Sequence, residues 1–420
     1  MPDVGHASLP GRRSSRVNRV FACRACGRGN LELILDLGKQ PWGNDFRPME
    51  LDQTCPRYPL EFFYCHDCTM CQIGHTVPKE TMFREHGYLS GTTRSLARHF
   101  ASVASRIAER VAFGPSDYVL DVGGNDGTFL RFVHERGLDV LNVDAGINQH
   151  RASLANGIPC INRFFNLETA DDIRRERGPA KVIHGAGIFF HLEELHSAFE
   201  GVRHLLADDG VVVAEFIYLP SMVETTAFDQ IYHEHLTYYT LGSFERLLQG
   251  HGLRINDAEL ASIHGGSCIA YIGRGDGVSP ALARLMDREV VEGYDTATPY
   301  RQFAKEASEL RDLIRDRVRR FRAGGRRIQA LGAPVKGTTI LHYCGFDERD
   351  IECAVEINRL KCGTFYPGTR IPVVHQDEVD PPDAYLLLAW NFRDEIMPKL
   401  ERFRSGGGQV LIPIPDAEVL

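Results

Sequence analysis

Residues 232–239 read Tyr-His-Glu-His-Leu-Thr-Tyr-Tyr, directly after Phe228-Asp229-Gln230-Ile231. Imidazole titrates near neutrality, so His233 or His235 could act as a general base at cellular pH. The neighbouring carboxylate of Glu234 and phenol of Tyr232 could fix an imidazole tautomer and hold an enolate oxygen. Strand-like alternation puts Tyr232 and Glu234 on one side, His233 and His235 on the other. The same composition also suits an aromatic loop with surface histidines that only packs one domain on another. The elements around the stretch must decide.

The first of those elements is Asp117-Tyr118-Val119-Leu120-Asp121-Val122-Gly123-Gly124-Asn125-Asp126-Gly127-Thr128. Residues 118–122 predict a buried strand, the glycines a tight turn, and Gly127 the start of a helix. Strand, glycine turn and helix start are a nucleoside-binding design. The spacing is not the usual dinucleotide fingerprint, and its acid would repel a pyrophosphate. An acidic turn suits a cationic or zwitterionic nucleoside such as S-adenosylmethionine. The second strand, 140–143, ends at Asp144, at the interval expected of a carboxylate that accepts ribose hydroxyls. The alternative is that Asp144 only caps a helix.

A further strand, 181–188, leads to His191 at a strand-to-helix junction, where open α/β sheets place their ligands. His184 and His196 are read as structural. The turn Gly332-Ala333-Pro334-Val335-Lys336-Gly337 follows another strand, 327–331. It carries a lysine and no acid, so it suits an anion such as a phosphate. Strands at 351–357, 384–389 and 409–412 complete a second nucleotide-like unit. The arginine-rich helix at 303–321 is expected to present a solvated face over a core stripe.

Cys23-x-x-Cys26 and Cys65-x-x-Cys68 form two knuckles with room between them for strands at 31–37 and 60–64. Each short turn can point two thiolates at one zinc ion. Four thiolates close the shell, so the metal is expected to be structural. Cys55, Cys71 and His66 lie nearby without the paired spacing. Buried free thiols and a redox pair are the competing explanations.

Length and composition set the outer bounds. With 420 residues, two or three domains are expected. Hydrophobic and charged fractions of 43% and 25% are those of a globular protein. A net charge of -8 argues against a nucleic-acid groove binder. No apolar run approaches a membrane span. The odd cysteine number, 11, does not suggest a disulfide framework. Residues 1–19 are polar, with no apolar core for a secretory signal, and are expected to be a disordered extension of a cytoplasmic protein.

These motifs together resemble the zinc-containing sugar C-methyltransferases of antibiotic deoxysugar pathways, which methylate a carbon beside the ketone of a dTDP-linked keto-sugar. The resemblance rests on the paired knuckles, Tyr88 before a Ser/Thr-rich turn, Gly124-Asn125-Asp126-Gly127-Thr128, His191 and Tyr232-His233-Glu234-His235. It also rests on His264-Gly265-Gly266-Ser267, the Lys336 turn, Tyr366-Pro367-Gly368-Thr369 and Ala389-Trp390-Asn391-Phe392. The chain departs from the pattern at Ile269, where an arginine is expected, and at Asn358-Arg359-Leu360-Lys361-Cys362-Gly363, 184–187 and 145–146.

The resemblance implies an α/β protein in three parts. Residues 20–92 would bind zinc, 93–275 would form a Rossmann-like class I methyltransferase domain, and 276–420 a Rossmann-like nucleotide-sugar domain. His235 would be the base, with Tyr232, Glu234, His191 and Tyr88 around the sugar. Asp121, Gly123, Gly124, Asn125, Asp126, Gly127 and Asp144 would bind S-adenosylmethionine. His233, His264, Lys336 and Asn391 would face the substrate. The expected partner is a small-molecule nucleotide-sugar, with no nucleic acid or membrane, and the expected state is a monomer. The alternatives are an atypical acceptor on the same scaffold, by O- or N-methylation or enolate isomerisation, and a non-catalytic binding module.

Overall fold

The computed structural model describes residues 18–51, 54–84, 89–92 and 94–420. Its central sheet has seven strands. Their order is Arg254–Ala261, Ser267–Gly273, Leu206–Ile217, Ala180–Ala186, Tyr118–Val122, Asp139–Val143 and Cys160–Ile161. The five from Leu206–Ile217 onward run parallel, while Ser267–Gly273 is antiparallel to both its neighbours. Every residue of Tyr118–Val122 is buried, as a continuous apolar run covered on both faces requires. One face is covered partly by the helix Arg94–Arg110, through Leu96, Phe100, Val103 and Ile107. The other is covered by Leu195–Leu205 and Leu241–Gln249.

The knuckle region builds a four-stranded antiparallel sheet, and its edge strand comes from the middle of the chain. Leu31–Pro41, Arg57–Cys65 and Cys71–Ile73 are extended by Thr237–Tyr238, with Thr237 opposite Gln72 and Tyr238 opposite Cys71. The histidine stretch is therefore tied to this unit by a backbone ladder. The C-terminal sheet has eight strands, with a parallel core around Ile328–Leu331, and its far edge is Arg47–Pro48. The long helix Thr298–Ala323 buries Tyr300, Phe303, Ala307, Leu310, Ile314, Val318 and Phe321, a single stripe at helical spacing. One continuous core joins that stripe to Leu60, Phe62, Phe228, Ile231 and the C-terminal strands.

Several boundaries differ from expectation. Asn18–Arg19, placed in the extension 1–19, pairs with His75–Thr76. The helix Pro280–Val291, placed after 275 in the C-terminal unit, inserts Leu282 into the central core. Its buried Glu289 takes the backbone N–H of Leu241 at 2.6 Å. Ile269 is wholly buried in the strand paired with Glu215 and packs in the core. Among the described residues no helix is long and apolar enough to cross a membrane.

Candidate active site

The turn after Tyr118–Val122 is held open by its own polar groups. Gly123 has φ +68 and donates to the Val143 carbonyl at 2.8 Å. A Cβ on Gly124 would lie 2.5 Å from Asn142 Oδ1 and 2.6 Å from Asp121 Oδ2, so only glycine fits. Asp121 is buried, with Oδ1 2.7 Å from His184 Nδ1, which gives His184 its structural role. Asn125 Oδ1 accepts from Ser90 and Asp126 N–H groups. Asp126 accepts from Gly91 N–H at 2.8 Å and Thr128 Oγ1 at 2.6 Å. Gly127 sits at φ +77 before the helix Thr128–His134.

Asp144 accepts from Asn125 N–H at 3.0 Å and Gly146 N–H at 2.8 Å. The second bond lies just ahead of the helix Ile147–Ala155, so a local turn role is real. Each carboxylate oxygen keeps a second lone pair for a ribose hydroxyl. Burial pushes this carboxyl up to about 6. An acidic, acceptor-rich crevice with a glycine floor fits the sulfonium nucleoside.

The histidine stretch is not a strand. Phe228–Gln230 is a short 3-10 turn, and His235 N–H bonds back to the Tyr232 carbonyl at 2.9 Å. This turn replaces the expected alternation: it lays Tyr232 against His235, ring centroids 3.8 Å apart and tilted by 39°, and turns His233 toward Pro59. His235 is buried, its Nδ1 2.8 Å from the Gln230 carbonyl oxygen. A carbonyl can only accept, so Nδ1 carries the hydrogen and the lone pair of neutral His235 lies on Nε2. Burial, with His191 alongside, pushes its pKa well below the ordinary imidazole range. The His191 ring stacks 5.0 Å from His235 and 5.6 Å from Phe83.

Glu234 accepts from Trp42 Nε1 at 2.7 Å. Burial pushes its carboxyl up to about 7, against the pull of that N–H and of Lys361. His233 departs from expectation. It points to the knuckle unit, with Nε2 3.3 Å from the Pro59 carbonyl and its ring edge-on to Tyr58. Tyr88 lies outside the described residues.

His264 is half-buried at φ +56, and its carbonyl accepts from Gln230 Nε2 at 2.8 Å. Asn391 is half-buried, and its Oδ1 has no hydrogen-bond partner among the described residues. Lys336, expected to meet an anionic ligand, instead has Nζ 3.7 Å from Asp229 Oδ2 and 3.9 Å from the Trp390 ring centroid. Trp42, Asp229, Gln230 and Lys361 were not singled out from sequence. Asp229 did carry a signal, as a carboxylate between Phe228 and Ile231. Nor was the pair of His99 Nε2 and Glu215 Oε2, 2.7 Å apart at the end of Leu206–Ile217.

The four knuckle sulfurs all lie within 4.8 Å of one another, with Cys23–Cys68 at 3.4 Å and Cys26–Cys65 at 3.7 Å. Tetrahedral zinc with bonds of about 2.3 Å needs sulfurs roughly 3.8 Å apart. Cys55 and Cys71 stay outside the cluster, and His66 pairs with Glu32 at 2.8 Å. The four cysteines fit a zinc ion and would close its shell, as a structural site does.

Three family models match in succession: a zinc binding domain over residues 23–83, a methyltransferase domain over 94–258, and a C-methyltransferase C-terminal domain over 262–415. The C-methyltransferase NovU of Streptomyces niveus is 30% identical over 410 residues, 96% of this chain and 98% of that protein. Among solved structures, magnesium protoporphyrin IX methyltransferase of Synechocystis PCC 6803 is 14% identical, with a TM-score of 0.33, over 43% of this chain and 83% of that one. Geranyl diphosphate C-methyltransferase of Streptomyces coelicolor A3(2) is 12% identical, with a TM-score of 0.34, over 43% and 81%. With the three domain matches in order along the chain and NovU matched nearly end to end, the chain belongs to the family of zinc-containing, S-adenosylmethionine-dependent C-methyltransferases.

Proposed function

We propose that the enzyme methylates the carbon beside the ketone of a nucleotide-linked keto-deoxysugar, with dTDP as the nucleotide and His235 as the general base. The observation that carries this is the Nδ1–Gln230 bond, which commits the hydrogen of a buried, neutral imidazole to Nδ1 and leaves the lone pair on Nε2. The ketone acidifies its neighbouring C–H. His235 Nε2 takes that proton, the C–H electron pair moves into the enolate, and the carbon then forms the new C–CH₃ bond. S-adenosylmethionine, when bound, supplies the sulfonium methyl and leaves as the neutral thioether.

Burial makes His235 a weak base while the site is empty. Its basicity rises as negative charge builds on the substrate oxygen beside it. Tyr232 and the partly protonated Glu234 can donate toward that oxygen. A positioned base contributes about 10²–10⁴-fold, and donors aimed at the oxyanion a comparable share. Cys23, Cys26, Cys65 and Cys68 would hold zinc in a closed four-thiolate shell, where it would serve as a scaffold and leave the proton transfer to side chains. The acidic turn and Asp144 hold the donor, and His191 walls the other side of the base. The expected setting is a cytoplasmic antibiotic-sugar pathway.

The test is incubation with ¹³C-methyl donor and a dTDP-keto-deoxysugar, followed by NMR of the product. A new carbon-bound methyl is expected. A label on oxygen or nitrogen would contradict C-methylation of this acceptor class.

A further inference from the structure

The N-terminal end of the helix Gly337–Cys344 holds the base loop at two points that flank one residue. Thr339 Oγ1 donates to the Ile231 carbonyl at 2.9 Å. Lys336, just before the helix, has Nζ 3.7 Å from Asp229 Oδ2. Between them is Gln230, whose carbonyl accepts from His235 Nδ1 at 2.8 Å and from Tyr238 Oη at 3.2 Å. A third hold comes from Trp390, whose Nε1 donates to Asp229 Oδ2 at 2.6 Å while its ring lies against the Lys336 ammonium.

Asp229 is fully buried and Lys336 nearly so. Asp229 Oδ1 and Lys336 Nζ make no hydrogen bond among the described residues. A buried carboxylate is costly unless its compensating charge and donors are in place. Both of the groups that compensate Asp229 come from the C-terminal unit. The C-terminal unit therefore supplies what offsets the burial of Asp229 in this loop shape. An enclosed ammonium aimed at a carboxylate is also the wrong arrangement for gripping a phosphate.

We infer that Asp229, Lys336, Trp390 and Thr339 form an interdomain clamp that positions the base. Seating the C-terminal unit sets residues 229 and 231, which fixes the Gln230 carbonyl, which fixes the orientation and tautomer of His235. Lys336 is then a positioning residue and not a ligand of the nucleotide phosphates. The inference rests on His235 being the base. It goes further in making the domain expected to hold the nucleotide-sugar the one that arms the proton-abstracting group.

Thr339→Val preserves bulk and removes one donor, and Trp390→Phe keeps an aromatic ring while removing the indole N–H. With Lys336→Met, they form the test set. Each should lower kcat by about 10–100-fold, the scale of a displacement of about 1 Å at a reacting group. The nucleotide-sugar KM and the Kd for S-adenosylhomocysteine should stay within about threefold. In a His235→Gln background the same changes should cost no more than about threefold, because they act through the missing ring. A raised nucleotide-sugar KM with unchanged kcat would overturn the clamp and restore Lys336 as a phosphate ligand. Full-size losses in the His235→Gln background would also overturn it. Undiminished turnover by His235→Gln alone would remove the base assignment itself, a result distinct from either.

Discussion

Trp42 donates its indole N–H to the Glu234 carboxylate at 2.7 Å, reaching from the zinc-bearing unit into the turn that carries His235. The N–H favours the ionised carboxylate, while burial, the larger effect, pushes the group up to about 7. A carboxyl raised in the folded state adds stability that is fully present below its unfolded value of 4.5. That stability is lost as pH rises through about 7. Chemical denaturation across pH 4.5–8 should show wild type losing on the order of 1–2 kcal/mol relative to Glu234→Gln, allowing for partial solvent access. Trp42→Phe should move the loss to higher pH. A flat difference between wild type and Glu234→Gln would contradict a raised carboxyl.

The zinc unit should matter for activity without zinc doing chemistry. Its sheet includes Thr237–Tyr238, just past His235, and it supplies Trp42. Metal analysis should find about one zinc per chain, and replacing both Cys23 and Cys26 should abolish it. Chelation should lower the thermal midpoint and activity together, since metal binding is coupled to folding. A full zinc complement in the double variant would show that other residues hold the metal.

His233 packs between the His235 turn and the knuckle sheet, and burial pushes its imidazole down to about 4. A depressed folded value stabilises the protein above the unfolded value of 6.5. That stabilisation disappears as pH falls through about 4. His342, against the Pro367 carbonyl at 2.8 Å, behaves alike. His233→Gln should be less stable at pH 8 by about 1–2 kcal/mol through lost packing and hydrogen bonding. Its acid limb between pH 6.5 and 4 should be shallower. Acid unfolding followed by tryptophan fluorescence reads both.

Asp144 presents two carboxylate oxygens at the end of Asp139–Val143, each already holding one backbone N–H. Asp144→Ala should weaken S-adenosylhomocysteine binding by about 10–100-fold in calorimetry, the scale of one charged hydrogen bond. Unchanged affinity would leave Asp144 with only its turn role.

The parts legible in the sequence are those with local signals. The apolar run 118–122, its glycine turn and the acid at Asp144 follow one another within one strand–helix–strand unit, and the strand 409–412 is found at those residues. The paired knuckle spacing announces the zinc. The histidine stretch was legible as chemistry but not as geometry, because the hydrogen-bonded turn from Tyr232 to His235 breaks the period of two and sends His233 toward the Pro59 carbonyl. The lysine turn was legible as a nucleotide-like element. Lys336's neighbour Asp229 lies in a distant segment, and no local pattern announces such a pairing. Trp42 reaches Glu234 by the same kind of long-range packing.

The central claim is that His235 removes the proton, and hydrogen exchange reads that step apart from methyl transfer. In deuterated water, with S-adenosylhomocysteine filling the donor site, the wild-type enzyme should exchange the C–H beside the ketone of a dTDP-keto-deoxysugar. His235→Gln should slow that exchange by about 10²–10⁴-fold while binding S-adenosylhomocysteine with unchanged affinity. Exchange at the wild-type rate in the variant would contradict the account.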